Sequence, residues 1–460
     1  MMIKTLVIIS VIHFSWAFFR PFQRKIDADL RYGDAGEPLI LTPLLRRGQI
    51  EEARLAAEVH LEDLKNVTSY SGYLTVDETF NSNLFFWFFP SETDYQNDPV
   101  ILWLQGGPGG SSMFGLFSEN GPFFFRSENV IDIREHRWSR RHSVLYIDNP
   151  AGTGFSFTNG GYARNQTKVG NDLFETLQQF FTLFPEIQKN DFFVTGESYG
   201  GKYVPALGYA IHHRNPEAGI KINLQGMAIG NGLSDPENQF RYADYLQQIG
   251  LIDRRTRNAM HSLEHHCSEA IRKGEYQKAL DILDEDFNSP NSIFSVATGY
   301  ENVYNHLNPF DTVDENSMGI FFQRADVRSA IHVGNTSFGD DKVYENLELD
   351  IVKSIVPWVS ELLSHYRMLF YNGQLDIIVA YPMMVTYLEK MKFSAHEEYK
   401  KAPRHVWKVD QDLAGYVKSA GNLTEVLVRN AGHLVPADQP KWSLDMISKF
   451  VRNEYIAGPI

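Results

Sequence analysis

Asp191-Phe192-Phe193-Val194-Thr195-Gly196-Glu197-Ser198-Tyr199-Gly200-Gly201-Lys202-Tyr203 is the stretch on which the reading of this chain turns. A β-prone run, Phe192 to Thr195, enters G-x-S-x-G, and a helical pattern follows to about His213. A serine between a strand and a helix sits on a sharp turn, and glycines two residues to either side remove side chains that would strike the neighbouring backbone. The helix start then points free N–H groups at any developing anion. Taken alone, the pentapeptide fits a glycine-rich phosphate turn or a plain loop equally well. A serine hydroxyl is a weak nucleophile near neutral pH and needs a base, itself oriented by a carboxylate.

Working outward, further β-prone runs stand between turn signals: Leu84 to Phe89, Val100 to Leu104, Ser143 to Ile147, Gln225 to Ile229, Met368 to Tyr371 and Glu425 to Val428. Several are apolar on both faces, as buried parallel strands require. Helical patterns separate them, such as Asn171 to Phe184, whose Leu173, Leu177, Phe180, Phe181 and Phe184 fall near one face. The alternation predicts an α/β fold with a mostly parallel sheet covered by helices. Charged, strand-poor helices from about 234 to 309, including Arg255 to Lys273 and Tyr276 to Asp284, predict a helical cap insertion.

In the α/β-hydrolase arrangement a nucleophile is followed in the chain by an acid and then a histidine, both in turns after later strands. Met368 to Tyr371 runs into Asn372-Gly373-Gln374-Leu375-Asp376, and Glu425 to Val428 runs into Arg429-Asn430-Ala431-Gly432-His433 before a closing helix from about Lys441 to Val451. Asp376 is therefore the candidate acid and His433 the candidate base for Ser198. Each alone would pass for a turn residue, and it is their order behind Ser198 that singles them out.

The chain has 460 residues, 43% of them hydrophobic and 13% aromatic, enough for a large core. A formal charge of −14 disfavours capture of nucleic acid or of an anionic membrane. Lys4, an apolar run from Thr5 to Phe14 and the ending Ser15-Trp16-Ala17 read as a signal peptide over residues 1–17, which implies the secretory route, to the extracellular space or a lysosome. Residues 18–65 read as an N-terminal surface arm and 66–460 as the hydrolase domain with its cap. No later stretch has the roughly 18 uninterrupted apolar residues of a membrane span. Sequons at Asn66, Asn165, Asn335 and Asn422 are candidate glycosylation sites. Cys267, the sole cysteine, excludes an intramolecular disulfide and is expected to be a packing residue.

Six ordered motifs resemble the serine carboxypeptidase family over nearly all of the mature chain. They are Leu102-Trp103-Leu104-Gln105-Gly106-Gly107-Pro108-Gly109-Gly110-Ser111-Ser112, Glu119-Asn120-Gly121-Pro122, Asp148-Asn149-Pro150-Ala151-Gly152-Thr153-Gly154-Phe155-Ser156, and the segments around Ser198, Asp376 and His433. Gln105, Gly110 and the run Ser112 to Phe117 are similar to the vitellogenic and venom branch of animals. The resemblance implies a serine-type carboxypeptidase with no metal or organic cofactor, acting on peptides or proteins with a free C-terminus. It implies an oxyanion hole from the N–H groups of Gly107 and Tyr199, and a site for the substrate carboxylate at Gln105, Gly106, Glu119 and Glu197. Two glutamates can hold a carboxylate only if protons are shared among them, so an acid pH preference is expected.

The sequence departs from the commonest family pattern at Gln105, where asparagine is usual, and at Gly110, where cysteine is usual. Ester hydrolysis or acyl transfer through the same acyl-enzyme is the alternative within enzymes, and a non-catalytic yolk or venom binding protein is the alternative outside them. His261 and His265 share a helix face beside His266 and Cys267, but zinc-enzyme signatures are missing and the neighbours are charged surface types. Phe86-Trp87-Phe88-Phe89 and Phe123-Phe124-Phe125 read as core strands in preference to a substrate pocket.

Overall fold

Ten strands form one sheet, in the order β1-β2-β6-β3-β7-β8-β9-β12-β11-β10. The strands are β1 Tyr70–Asp77, β2 Ser82–Phe89, β3 Val100–Leu104, β4 Phe123–Ser127, β5 Val130–Ile133, β6 Ser143–Ile147, β7 Phe192–Glu197, β8 Leu224–Gly230, β9 Arg367–Gly373, β10 His405–Val409, β11 Asp412–Ala420 and β12 Leu423–Val428. The computed structural model describes residues 33–128, 130–310 and 315–458, so the expected signal peptide and the first part of the expected arm lie outside the described residues. From β6 through β12 the neighbours run parallel, whereas β1, β2, β10 and β11 pair antiparallel at the two edges. β4 and β5 form a separate hairpin.

The apolar runs become the central strands because both of their faces are covered. All residues of β2, β3, β6 and β7 are buried. Side chains along β2 alternate between two cores, as the period of two demands. Phe86 and Phe88 pack on Phe180, at ring distances of 6.1 and 5.0 Å, on the helix Gln166–Leu183. Trp87 meets Phe117 at 6.1 Å, and Phe89 meets Phe123 at 5.8 Å, on the other face. These aromatics are core, as the sequence pattern indicated. The helix Gln166–Leu183 starts where Asn165 caps it, its side-chain oxygen accepting from the Lys168 N–H at 3.0 Å.

Residues 33–65 differ from the expected surface arm. The Leu41 N–H donates to the Tyr73 carbonyl at 2.9 Å, and the Tyr73 N–H to the Leu39 carbonyl at 2.9 Å, so this segment is bonded to β1. Leu41, Ala53 and Ala57 are fully buried. Small residues on one side of the short helix Ile50–Ala57 let it lie flat on the core while charged residues face out. The helical insertion between β8 and β9 also runs beyond the expected 234–309. After Arg254–Lys273, Tyr276–Leu283 and Ile293–Thr298 it continues through Glu315–Gln323, Ala325–Ala330, Lys342–Ile351 and Val356–Leu362. Cys267 is buried against the cap's own helices, and burial pushes its thiol up to about 12.

Candidate active site

β3, β7, β9 and β12 are parallel, so the turns leaving their C-terminal ends meet at one edge of the sheet. Ser198 follows β7 with φ of 59°, in the left-handed region that serine rarely adopts. Its N–H donates to the Gly230 carbonyl at 3.0 Å, and its carbonyl accepts from the N–H groups of Gly201 and Leu233, each at 2.9 Å. Three backbone hydrogen bonds thus hold the strained turn. Gly106 lies directly against it: a Cβ at 106 would stand 2.6 Å from the Ser198 Cβ and 2.6 Å from the Tyr199 nitrogen. Only glycine lets the turn carrying Gly106 and Gly107 rest on the start of the nucleophile helix, Gly200–Arg214.

Asp148 explains why two of the sequence motifs occur together. It is fully buried and accepts from Ser111 Oγ at 2.6 Å, the Ser112 N–H at 2.9 Å and the Phe155 N–H at 2.8 Å. The segment Asp148 to Ser156 is therefore the clamp that fixes the end of the glycine turn. Burial raises the Asp148 carboxyl to about 6, against the pull of those donors.

Asp376 and His433 converge as their order suggested. His433 Nδ1 is 2.9 Å from Asp376 Oδ2, with both side chains buried. A carboxylate can only accept here, so Nδ1 carries the proton and Nε2 is left as an acceptor. Nε2 has no hydrogen-bond partner in this structure, so the imidazole is not bonded to Ser198 Oγ. The two turns interlock: a Cβ at Gly373 would stand 1.8 Å from the Gly432 carbonyl oxygen.

Three residues that sequence reasoning missed hold this pair. Asn231, just after β8, donates from Nδ2 to Asp376 Oδ2 at 2.7 Å, and its Oδ1 accepts from the Gly373 N–H at 3.3 Å. Tyr304, from the cap, lies parallel to the His433 ring with centroids 5.1 Å apart and an interplanar angle of 11°, and its carbonyl accepts the His433 N–H at 2.6 Å. The Tyr245 hydroxyl, also from the cap, donates to the Asp376 carbonyl at 2.8 Å. The cap is therefore part of the frame that holds Asp376 and His433. A polar residue at a strand end was the sole signal for Asn231.

Glu119 and Glu197 are fully buried and adjacent. Trp103 donates from Nε1 to Gln105 Oε1 at 2.8 Å, which turns the Gln105 amide so that Nε2 donates to Glu197 Oε1 at 3.1 Å. Arg134, the cation whose charge reaches Glu119, spends its N–H groups on the carbonyls of Gly121, Phe117 and Phe123 at 3.1, 2.7 and 3.0 Å. Burial pushes both carboxyls above the ordinary range, and the Glu119 charge pushes Glu197 further. The pair therefore keeps a proton where an exposed pair would lose both. The two departures at Gln105 and Gly110 are neighbours: a Cβ at 110 would touch Gln105 Cγ at 3.4 Å and crowd the Gly106 carbonyl at 2.9 Å. The longer Gln105 side chain is accommodated beside a residue without one.

Tyr199 is anchored through its side chain. Its hydroxyl donates to Asp350 Oδ2 at 2.6 Å, Gln166 Nε2 donates to the same oxygen at 2.7 Å, and Lys202 Nζ stands 3.5 Å from it. The backbone N–H groups of Gly107 and Tyr199 are not used by other backbone carbonyls among the described residues. Asn66 and Asn165 are exposed, whereas Asn335 and Asn422 are half-buried and their amide nitrogens donate to Asp34 Oδ1 at 2.6 Å and the Leu363 carbonyl at 2.9 Å. Around His261 and His265, no three metal-ligating side chains converge among the described residues.

A doubly covered, mostly parallel sheet with a serine on a strained strand-to-helix turn and an Asp–His pair on later turns defines an α/β-hydrolase. The chain belongs to the serine carboxypeptidase family, whose sequence model matches residues 60–453. It is 51% identical to the venom serine carboxypeptidase of Apis mellifera, over 92% of each chain. It is 47% identical to the vitellogenic carboxypeptidase of Aedes aegypti, over 96% of this chain and 95% of that one, and 46% identical to the probable serine carboxypeptidase CPVL of Homo sapiens, over 94% and 93%. Among solved structures it is similar to Kex1(delta)p, a prohormone-processing carboxypeptidase from Saccharomyces cerevisiae, with a TM-score of 0.74 and 25% identity over 87% of this chain and 96% of that one. Among the described residues no helix is long and apolar enough to cross a membrane.

Proposed function

We propose that this chain removes single residues from the free C-termini of peptides and proteins in an acidic compartment of the secretory route or outside the cell. Ser198 Oγ attacks the carbonyl of the terminal peptide bond while its proton passes to His433 Nε2, with Asp376 holding the ring by Nδ1–H. The N–H groups of Gly107 and Tyr199 receive the developing oxyanion. The C–N bond then breaks, His433 returns the proton to the departing amine, and an acyl ester remains on Ser198. Water, deprotonated by His433, attacks that ester, and His433 passes the proton to Ser198 Oγ as the shortened peptide leaves.

The observation that carries the reading is the buried Glu119–Glu197 pair, one member immediately before the nucleophile, with Gln105 aimed at it. A protonated carboxyl in an apolar pocket is a hydrogen-bond donor, which is what a terminal carboxylate needs. Such a clamp measures off one residue from the scissile bond, so its geometry favours an exopeptidase over an esterase. The N–H of Gly106 is the fourth group of the clamp. Asn66 and Asn165 are the sequons whose amide nitrogens are free to carry a glycan, and modification at Asn335 or Asn422 would break the bonds those side chains make.

The test uses the purified chain and its Ser198→Ala variant on a free-acid peptide and on a simple ester at acid pH. Release of the terminal amino acid by the native chain alone is expected, together with fluorophosphonate labelling that disappears in the variant. Ester turnover without peptide turnover would replace this reading by an esterase.

A further inference from the structure

We infer that the C-terminal end of the nucleophile helix carries a site for a divalent transition-metal ion of the zinc class, built from His212, His213 and Glu361. Glu361 lies on the helix Val356–Leu362 of the insertion, which packs beside the nucleophile helix. One ligand atom from each of the three side chains lies within 4.8 Å of the others, and among the described residues no other trio of His, Cys, Asp or Glu converges this closely. His213 Nε2 is already 2.9 Å from Glu361 Oε1. Ligand atoms on a tetrahedral zinc stand about 3.3 Å apart, as bonds of about 2.0 to 2.1 Å require. Closing around an ion therefore asks the ligand atoms to approach one another by about 1.5 Å or less.

The surroundings are those of a metal site. The Tyr366 hydroxyl is 3.1 Å from His212 Nδ1 and fixes that ring, the service an outer partner performs for a ligating histidine. His365 lies on His212 with ring centroids 4.4 Å apart, placing a third imidazole at the same spot. The helix spans fifteen residues, and the negative end of its dipole favours a cation. The neighbouring Arg214 does not occupy that position, because it turns to Glu175, Asn171 and the Phe174 ring. Two imidazoles and a carboxylate suit zinc or copper and leave one coordination position for water. At about 1.5 Å per residue the site is some 20 Å from Ser198, so the ion would tie the far end of the nucleophile helix to the insertion and touch no reacting atom.

The test is titration of the full chain with zinc by calorimetry at neutral pH, with cobalt absorption as a spectroscopic reporter of coordination. One saturable equivalent, a rise in melting temperature on zinc addition and visible cobalt bands of a four-coordinate site are expected. His213→Gln and Glu361→Gln, each on a partly exposed side chain, should weaken zinc by at least about tenfold and abolish the cobalt bands while leaving the metal-free melting temperature unchanged. His265→Ala in the cap should alter none of these. Absence of saturable binding, or binding that survives both Glu361→Gln and His213→Gln, would overturn the inference.

Discussion

Replacing Asn231 by glycine removes the amide that donates to Asp376 Oδ2 at 2.7 Å while keeping the backbone shape, since Asn231 has φ of 43° and glycine adopts that region freely. A hydrogen bond to a buried charged group contributes about 1.5 to 3 kcal/mol. If that orientation of the carboxylate is needed at the transition state, its loss lowers kcat by roughly 10- to 150-fold, at about 1.4 kcal/mol per decade. KM should move little, because Asn231 sits on the acid and not on the carboxylate clamp. Asn231→Ala should show the same kcat loss with an added stability cost of about 1 kcal/mol from a side chain in the left-handed region. Asn231→Asp should be worse than either, because it sets a second carboxylate where the donor stood. The assay is kcat and KM on a blocked dipeptide at acid pH, with circular dichroism as the folding control. A folded Asn231→Gly variant whose kcat stays within about twofold of the native value would refute the assignment.

Gly106→Ala should slow fluorophosphonate labelling of Ser198 by about a hundredfold or more, since the new methyl forces the glycine turn off Tyr199 and displaces an oxyanion donor; native-like labelling would contradict this. Asp286 is buried in the cap with Oδ1 unpartnered, and burial raises it to about 9. A carboxyl raised in the fold contributes stability that is full below the ordinary carboxylate range and is lost as pH climbs toward 9. Asp286→Asn should therefore raise the melting temperature at mildly alkaline pH and leave it unchanged in strong acid, and an equal shift at both would count against the explanation. Lys202→Met strands Asp350 in the core and should destabilise the fold by about 3 kcal/mol or more in urea unfolding, a loss that an unchanged midpoint would exclude.

The parallel centre of the sheet was legible because several of its strands, β3 and β6 above all, are apolar on both faces. β10 and β11 escaped because they lie at an edge with one face toward water, and β11 breaks its alternation at Gly415. Ser198, Asp376 and His433 were legible because turn glycines and strand ends mark them. Asn231 was not, since its task exists only when β8 pairs with β9, which the whole insertion separates in sequence. Tyr304 lies in a cap loop without periodicity, and nothing local says that its ring will meet an imidazole. The segment from 33 to 65 reads as surface because its buried residues, Leu41, Leu45, Ala53, Ala57, Val59 and Leu64 among them, are scattered between exposed charged ones. The pairing of Glu119 with Glu197 came from the family resemblance, and burial supplied its physical reason.

The acid-dependent clamp is tested most directly by mass spectrometry of one peptide offered with a free C-terminal carboxylate and with a C-terminal amide, across mildly acid to mildly alkaline pH, using the native chain and Glu197→Gln. The raised carboxyls of Glu119 and Glu197 predict that the free acid is shortened stepwise, fastest in mild acid and slower as the pair loses its proton, with little cleavage of the amide. In Glu197→Gln that fall toward alkaline pH should flatten. Equal cleavage of both peptides, or a native rate on the free acid that climbs steadily from about pH 5 to about pH 8, would contradict the account.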